Sequence, residues 1–136
     1  MHALTRIHAA LADENRIRLL AACFDGQRCV CQLVELLTLA NATVSKHLSI
    51  LHDAGLLDRS KRGRWVHYRL PDEPTPPAAN AIEHLRCHLA HDPIIQADRK
   101  HMETILSFDP IALCRAQRNG CCLTDPDNTD HKECCR

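Results

Sequence analysis

Cys29 and Cys31 stand two residues apart, directly ahead of Leu33, Val34 and Leu37, whose spacing with Val30 predicts a helix over about residues 29–39. In a first-turn or extended backbone both sulfurs can face one ion. A helix N-terminus favours the thiolate, the form that soft ions bind. The plain alternative is a pair of buried structural cysteines, because a free thiol is also a small hydrophobe. Seven further cysteines complete a total of nine. Cys23 closes the preceding helix and is the nearest in sequence. Cys121-Cys122 and Cys134-Cys135 lie in a polar C-terminal stretch, and Cys121 with Cys122, joined by Cys114, makes a second candidate ion site. Nine cysteines in a short secreted chain would suggest a disulfide scaffold. The odd count and the lack of a basic–apolar–small layout over Met1 to Asn15 argue instead for reduced thiols and a cytoplasmic protein. No stretch is long and apolar enough to span a bilayer. His84, His88 and His91 fall at i, i+4 and i+7, on one helical face. The commoner role of such a row is solvated or interfacial, so zinc or cadmium binding there is the weaker reading.

A second set of residues suits nucleic acid. Thr43, Ser45, Lys46, His47 and Ser49 crowd the N-terminal half of a helix expected over about residues 43–54. Small hydroxyls and a histidine can contact base edges, while Lys46 suits phosphate. Lys61, Arg62 and Arg64 surround Gly63 at a turn, where they would reach an adjacent groove or backbone. Net charge is zero over the whole chain, which removes any global charge argument for nucleic acid. Between Asn41 and Leu70, however, six basic residues face two acids, a local excess of four. A basic segment inside a neutral protein is the footprint of a phosphate-facing surface, although a solvated hairpin has the same composition.

These residues need positioning elements. The chain has 136 residues, enough for one compact body, with aromatics at 3% and only four glycines. Leu, Ile and Ala dominate its apolar set, and that composition favours helices. The periodicities predict helices over about 2–11 and from Asp13, as cap, to about Phe24; then the helix over 29–39 and the one over 43–54, whose inward stripe is Val44, Leu48 and Leu51. Gly55 stops the latter. Leu56–Ser60 and Trp65–Leu70 then read as a hairpin around a Lys61–Arg64 turn. Two short helices joined by a tight turn and followed at once by a basic-tipped hairpin make a winged helix-turn-helix. After a proline-rich break at Pro71 to Pro77, helices are expected over 78–91 and 93–108, with a short one opening at Asp109-Pro110. The fold class is therefore mainly α, with five to six helices plus a two-stranded wing. Residues 1–108 form the working domain and 109–136 a cysteine-rich tail, disordered in its polar part.

The run Ala42 to Leu70, ATVSKHLSILHDAGLLDRSKRGRWVHYRL, resembles the recognition helix and wing of the ArsR/SmtB family of metal-responsive repressors. Leu11 to Arg16, LADENR, resembles that family's early Leu-Ala-Asp-x-Thr-Arg motif, with Asn15 where Thr is usual. The likeness covers about residues 4–90. It implies a homodimer held by the first and post-wing helices, repression by occupying double-stranded operator DNA, and recognition helices roughly 34 Å apart. Arsenite-sensing members carry Cys-Val-Cys-x-Leu-Cys where this chain reads Cys29-Val30-Cys31-Gln32-Leu33-Val34. The resemblance thus implies As(III) or Sb(III) as effector at Cys29 and Cys31, and Val34 leaves the third thiolate open. Cys23 and the C-terminal pairs remain candidates for it, and other members do use C-terminal cysteines. The family's zinc sensors carry an Asp-x-His pair about a helix-length before the post-wing ligands, and Pro74 to Pro77 supplies none. Rival readings are the same fold sensing zinc, cadmium, an organoarsenical or thiol oxidation, a passive thiol-rich buffer, and a thiol oxidoreductase. The last would need an anion-cradling loop and a Cys-x-x-Cys pair, neither of which stands out, so the expectation is a protein that is not an enzyme.

Overall fold

The computed structural model describes residues 1–63 and 65–118. Seven helices and three strands follow one another as α1 (His2–Ala10), α2 (Glu14–Ala22), β1 (Arg28–Cys29), α3 (Val30–Leu37), α4 (Asn41–Asp53), β2 (Asp58–Arg62), β3 (Trp65–Arg69), α5 (Pro76–His88), α6 (Pro93–Leu106) and α7 (Pro110–Arg118). Among the described residues no helix is long and apolar enough to cross a membrane.

Local chemistry sets most boundaries. The Asp13 carboxylate accepts from the Arg16 backbone N–H at 3.1 Å and so starts α2. Asp92 does the same for α6 through Ile94 and Ile95 at 2.9 and 3.2 Å, with Pro93 in the first turn, where its missing N–H costs nothing. Thr75 caps α5 with Pro76 and Pro77 in its first turn. The proline pair expected to end a loop therefore begins a helix. Between α3 and α4 the chain turns at Thr38, which sits in the left-handed region at φ 53°.

The core lies where α2, α3, α4 and α6 meet. Leu19, Leu20, Leu33, Leu48, Leu51, Leu56, Leu57 and Ile105 are fully buried there. Each such side chain contributes roughly 1.5–3 kcal/mol by leaving water. Two ion pairs fasten α6 to α2 and to the turn after it: Arg18 forks onto Asp98 at 2.8 Å, and Arg99 meets Asp25 at 3.1 Å. The core continues into the segment expected as a tail, because Leu113 and Ala116 of α7 are buried and α7 packs against α3.

The sheet is antiparallel in the order β1-β3-β2. Arg62 pairs with Trp65 across the turn that holds Gly63 at φ 63°, which gives the expected wing. The third strand was not expected. Arg28 and Cys29 pair with Tyr68 and His67, so the residues ahead of α3 belong to the wing's sheet.

Candidate functional site

Cys29 is the last residue of β1 and the residue that caps α3, rather than the first residue of that helix. Its backbone N–H donates to the Gln32 side-chain oxygen at 3.0 Å, which fixes the entry into α3. The Cys29 and Cys31 side chains are both nearly buried, with residue exposures of 3% and 7%. Burial pushes the Cys29 thiol above its ordinary pKa, and backbone N–H groups at the start of α3 oppose that shift without cancelling it. The thiolate expected from the helix terminus alone is thus outweighed by desolvation.

Cys29 and Cys31 line a pocket of about 550 Å³ whose other walls include Asn41 and Ser45 from the start of α4, Trp65 and Val66 from β3, and Cys114 and Gln117 from α7. The sulfurs of Cys31 and Cys114 are joined as a pair, with their Cα atoms 5.4 Å apart across 83 residues of sequence. Gln117 donates from Nε2 to the Cys31 carbonyl at 2.6 Å and to Glu35 at 3.3 Å, and holds α7 against the N-terminal turn of α3. Its Oε1 is buried with no hydrogen-bond partner. Among the described residues no three of His, Cys, Asp and Glu are grouped to hold a metal ion. The donor set nevertheless suits a soft ion, since three sulfurs from β1, α3 and α7 share one pocket.

The other sulfur candidates separate cleanly. Cys23 caps the end of α2, is 2% exposed, and turns its thiol to the Tyr68 carbonyl at 3.9 Å. Burial lifts its pKa to about 12. It does not line the sulfur pocket. Val34, which stands at the third position of the cysteine motif, is buried in the core. Cys121 and Cys122 lie outside the described residues, as do Cys134 and Cys135. Cys87 is exposed on α5, with its thiol 3.8 Å from Glu83. His84 and His88 are exposed on α5, their rings 4.3 Å apart, and His91 is exposed beyond the helix end.

Of the residues expected to meet DNA, Thr43 and Lys46 of α4 are exposed. Ser45, His47 and Ser49 are half-buried. Ser45 donates to Asn41 at 3.3 Å and borders the sulfur pocket, so it links the two sites. His47 meets the Arg16 guanidinium at 3.3 Å, and Arg16 also holds the Ala10 carbonyl at 2.7 Å, which braces α4 on the end of α1. Ala40 precedes α4 without a side-chain cap, so the first-turn N–H groups are not taken by a side chain at the cap position. Lys61 and Arg62 are exposed at the end of β2, beside the wing turn. Arg64 lies outside the described residues. Sequence reading missed β1 and the placement of Cys114 beside Cys31. The latter had a faint signal in Leu113, Ala116 and Gln117, which share a helical face with Cys114 after Asp109-Pro110.

Comparison with known proteins agrees with this architecture. Residues 13–59 match the arsR family of bacterial regulatory proteins. The chain is similar to an arsenic resistance transcriptional regulator of Pseudomonas putida, 40% identical over 68 residues, which are 49% of this chain and 53% of that protein. It is also similar to the arsenical resistance operon repressor of Escherichia coli, 40% identical over 79 residues, which are 57% of this chain and 68% of that protein. The chain thus spans about half the length of the first relative and two thirds of the second. Among solved structures it resembles HlyU from Vibrio cholerae, with a TM-score of 0.57 and 26% identity over 66% of this chain and 95% of that one.

Proposed function

This chain belongs to the arsR family of bacterial regulatory proteins, and from that premise we propose that it is a transcriptional repressor released from operator DNA by a trivalent metalloid. It binds as a homodimer, and arsenite or antimonite is the effector. One observation carries the reading: Cys29 and Cys31 open onto the same pocket as Asn41 and Ser45 of α4 and Trp65 and Val66 of the wing. An ion drawing those sulfurs together acts on both DNA-facing elements without an intermediary. The β1–β3 pairing adds a second linkage, since Cys29 is hydrogen-bonded into the strand that carries the wing. The names of the two relatives, both tied to arsenic resistance, support the choice of ion.

Each part has its work. Thr43 and Lys46 reach into the major groove from α4, and Lys61 and Arg62 hold backbone phosphate from the wing. Arg16, through His47 and Ala10, fixes the pitch of α4 on the body. Half-exposed Leu4 on α1 faces a groove lined by Leu11, Pro77 and Leu85, an apolar surface suited to the second protomer. The effector must bind the DNA-free form better than the bound one. A coupling of about 1–3 kcal/mol would weaken operator binding by roughly 5–150-fold.

The test is fluorescence anisotropy of the reduced protein on DNA from its own promoter, titrated with arsenite. Wild type should leave the DNA, and the Cys29→Ser/Cys31→Ser double variant should bind it and stay. A double variant released as readily as wild type would remove the site. The Cys31–Cys114 pairing favours a second reading in which a hydroperoxide is the signal. Two thiols and one hydroperoxide would give the disulfide, an alcohol and water. Intact mass separates the two readings: a disulfide loses two hydrogens, whereas an arsenic adduct gains mass.

A further inference from the structure

We propose that Cys114 of α7 supplies the third sulfur of the effector site, so that Cys29, Cys31 and Cys114 together form a three-thiol site for a pyramidal trivalent ion. This rests on the repressor reading above and deepens it by naming the ligand set. The observation is the convergence of three chain segments. Cys29 ends β1, Cys31 opens α3, and Cys114 comes from a helix 83 residues later, yet all three line one pocket.

The spacing suits a shared ion. Thiolates on one soft ion at ~2.3 Å each bring their sulfurs roughly 3–4 Å apart. Side chains on Cα atoms 5.4 Å apart, as at Cys31 and Cys114, can meet that requirement without backbone movement. Cys29 is two residues from Cys31 and faces the same space. The position of Cys114 is independently fixed. Leu113 and Ala116 on its two sides are buried in the core, and Gln117 is tied to the Cys31 carbonyl at 2.6 Å. These contacts place the α7 sulfur beside α3 whether or not an ion is present.

The chemistry balances as a ligand exchange. Arsenous acid, As(OH)3, reacts with three thiols: three As–O bonds break, three As–S bonds form, and each thiol proton leaves with a hydroxide as water. Where Cys31 and Cys114 are joined, a cellular monothiol first reduces them, and two of its molecules leave as their own disulfide.

A pair of probes with different thiol demand reads the ligand number. Arsenite takes three thiolates. Phenylarsine oxide, with one arsenic valence held by carbon, takes two. The experiment uses full-length protein reduced with a phosphine and bound to its promoter DNA. Cys114→Ser should need at least roughly tenfold more arsenite for half-release. The same variant should respond to phenylarsine oxide like wild type, since Cys29 and Cys31 remain. Retained operator binding before any probe is added shows that the variant is folded. A second variant, Cys121→Ser/Cys122→Ser/Cys134→Ser/Cys135→Ser, should keep the wild-type arsenite response and lose three titratable thiols per chain when arsenite is added. The proposal is overturned if Cys114→Ser responds to arsenite like wild type, or if the fourfold variant loses the response. Failure of the repressor reading looks different, because there wild type itself either does not bind the DNA or is released by neither probe.

Discussion

Two regions of this protein bring potential ligands close together, and they do so in opposite ways. On α5, the His84 and His88 rings lie 4.3 Å apart, tilted against each other, because a helix repeats every 3.6 residues. Their side chains leave the same cylinder side by side and end in solvent. At the start of α3, Cys31 meets Cys114 because two helices pack, and Cys29 lines the same pocket from the point where a strand turns into a helix. Donors that converge from three elements can surround an ion, whereas donors on one helix face offer it one side. Sequence spacing finds the first arrangement easily. Only tertiary packing reveals the second.

The largest effect should come from loosening the packing that makes the sulfurs converge. Leu113→Ala removes a buried side chain between α7 and α3 and should cost about 2–5 kcal/mol in urea unfolding. His88→Ala, at an exposed place on α5, should stay within about 0.5 kcal/mol. Equal losses would mean that α7 is not part of the packed body.

A smaller effect follows from the buried thiols. The Cys23 pKa is raised from 9.0 to about 12 by burial. Between those values the unfolded chain has lost the proton and the folded one keeps it. The native state then binds more protons, so stability falls as pH rises through that window, by about 1.4 kcal/mol per pH unit from this group. Below the ordinary thiol pKa the group adds no pH dependence. Cys29 is shifted in the same direction and adds to the fall. Thermal unfolding between pH 8 and 11 should show a steeper decline for wild type than for Cys23→Ala. Parallel curves would mean that Cys23 is not held neutral in the fold.

The smallest effect is expected on the histidine side. His84→Ala/His88→Ala should leave the arsenite concentration for half-release within about twofold of wild type, a difference of ~0.4 kcal/mol. A larger change would make α5 a participant in sensing and erase the contrast drawn above.

The helix-turn-helix and the wing were legible in the sequence because their signals are local. Val44, Leu48 and Leu51 mark one face of α4, and Gly63 takes the positive φ that the wing turn requires. Asp13 and Asp92 were legible as caps for the same reason. Cys29 and Cys31 could be named from their spacing and their place ahead of α3. Two features were beyond such reading. Strand β1 is two residues long, too short for any alternation, and exists because β3 offers a free edge beside it. The pairing of Cys31 with Cys114 depends on how α7 docks, and α7 carries no motif that points to α3. Pro76 and Pro77 misled in the other direction, since prolines at the end of a loop and at the first turn of a helix look alike until Thr75 is seen to cap the helix.

The 83-residue separation of Cys31 and Cys114 also has a consequence in time. A ribosome extends a chain at ~5–20 residues per second, so roughly 4–17 s pass between the synthesis of one sulfur and the other. During that interval the nascent protein already carries Cys29, Cys31 and, increasingly, the helices and hairpin meant for DNA, but not the helix that closes the pocket. The pocket of a newborn chain is therefore walled by two cysteines, and it gains its third only when the last described helix folds back. Its cysteine lining is completed with age, measured in seconds.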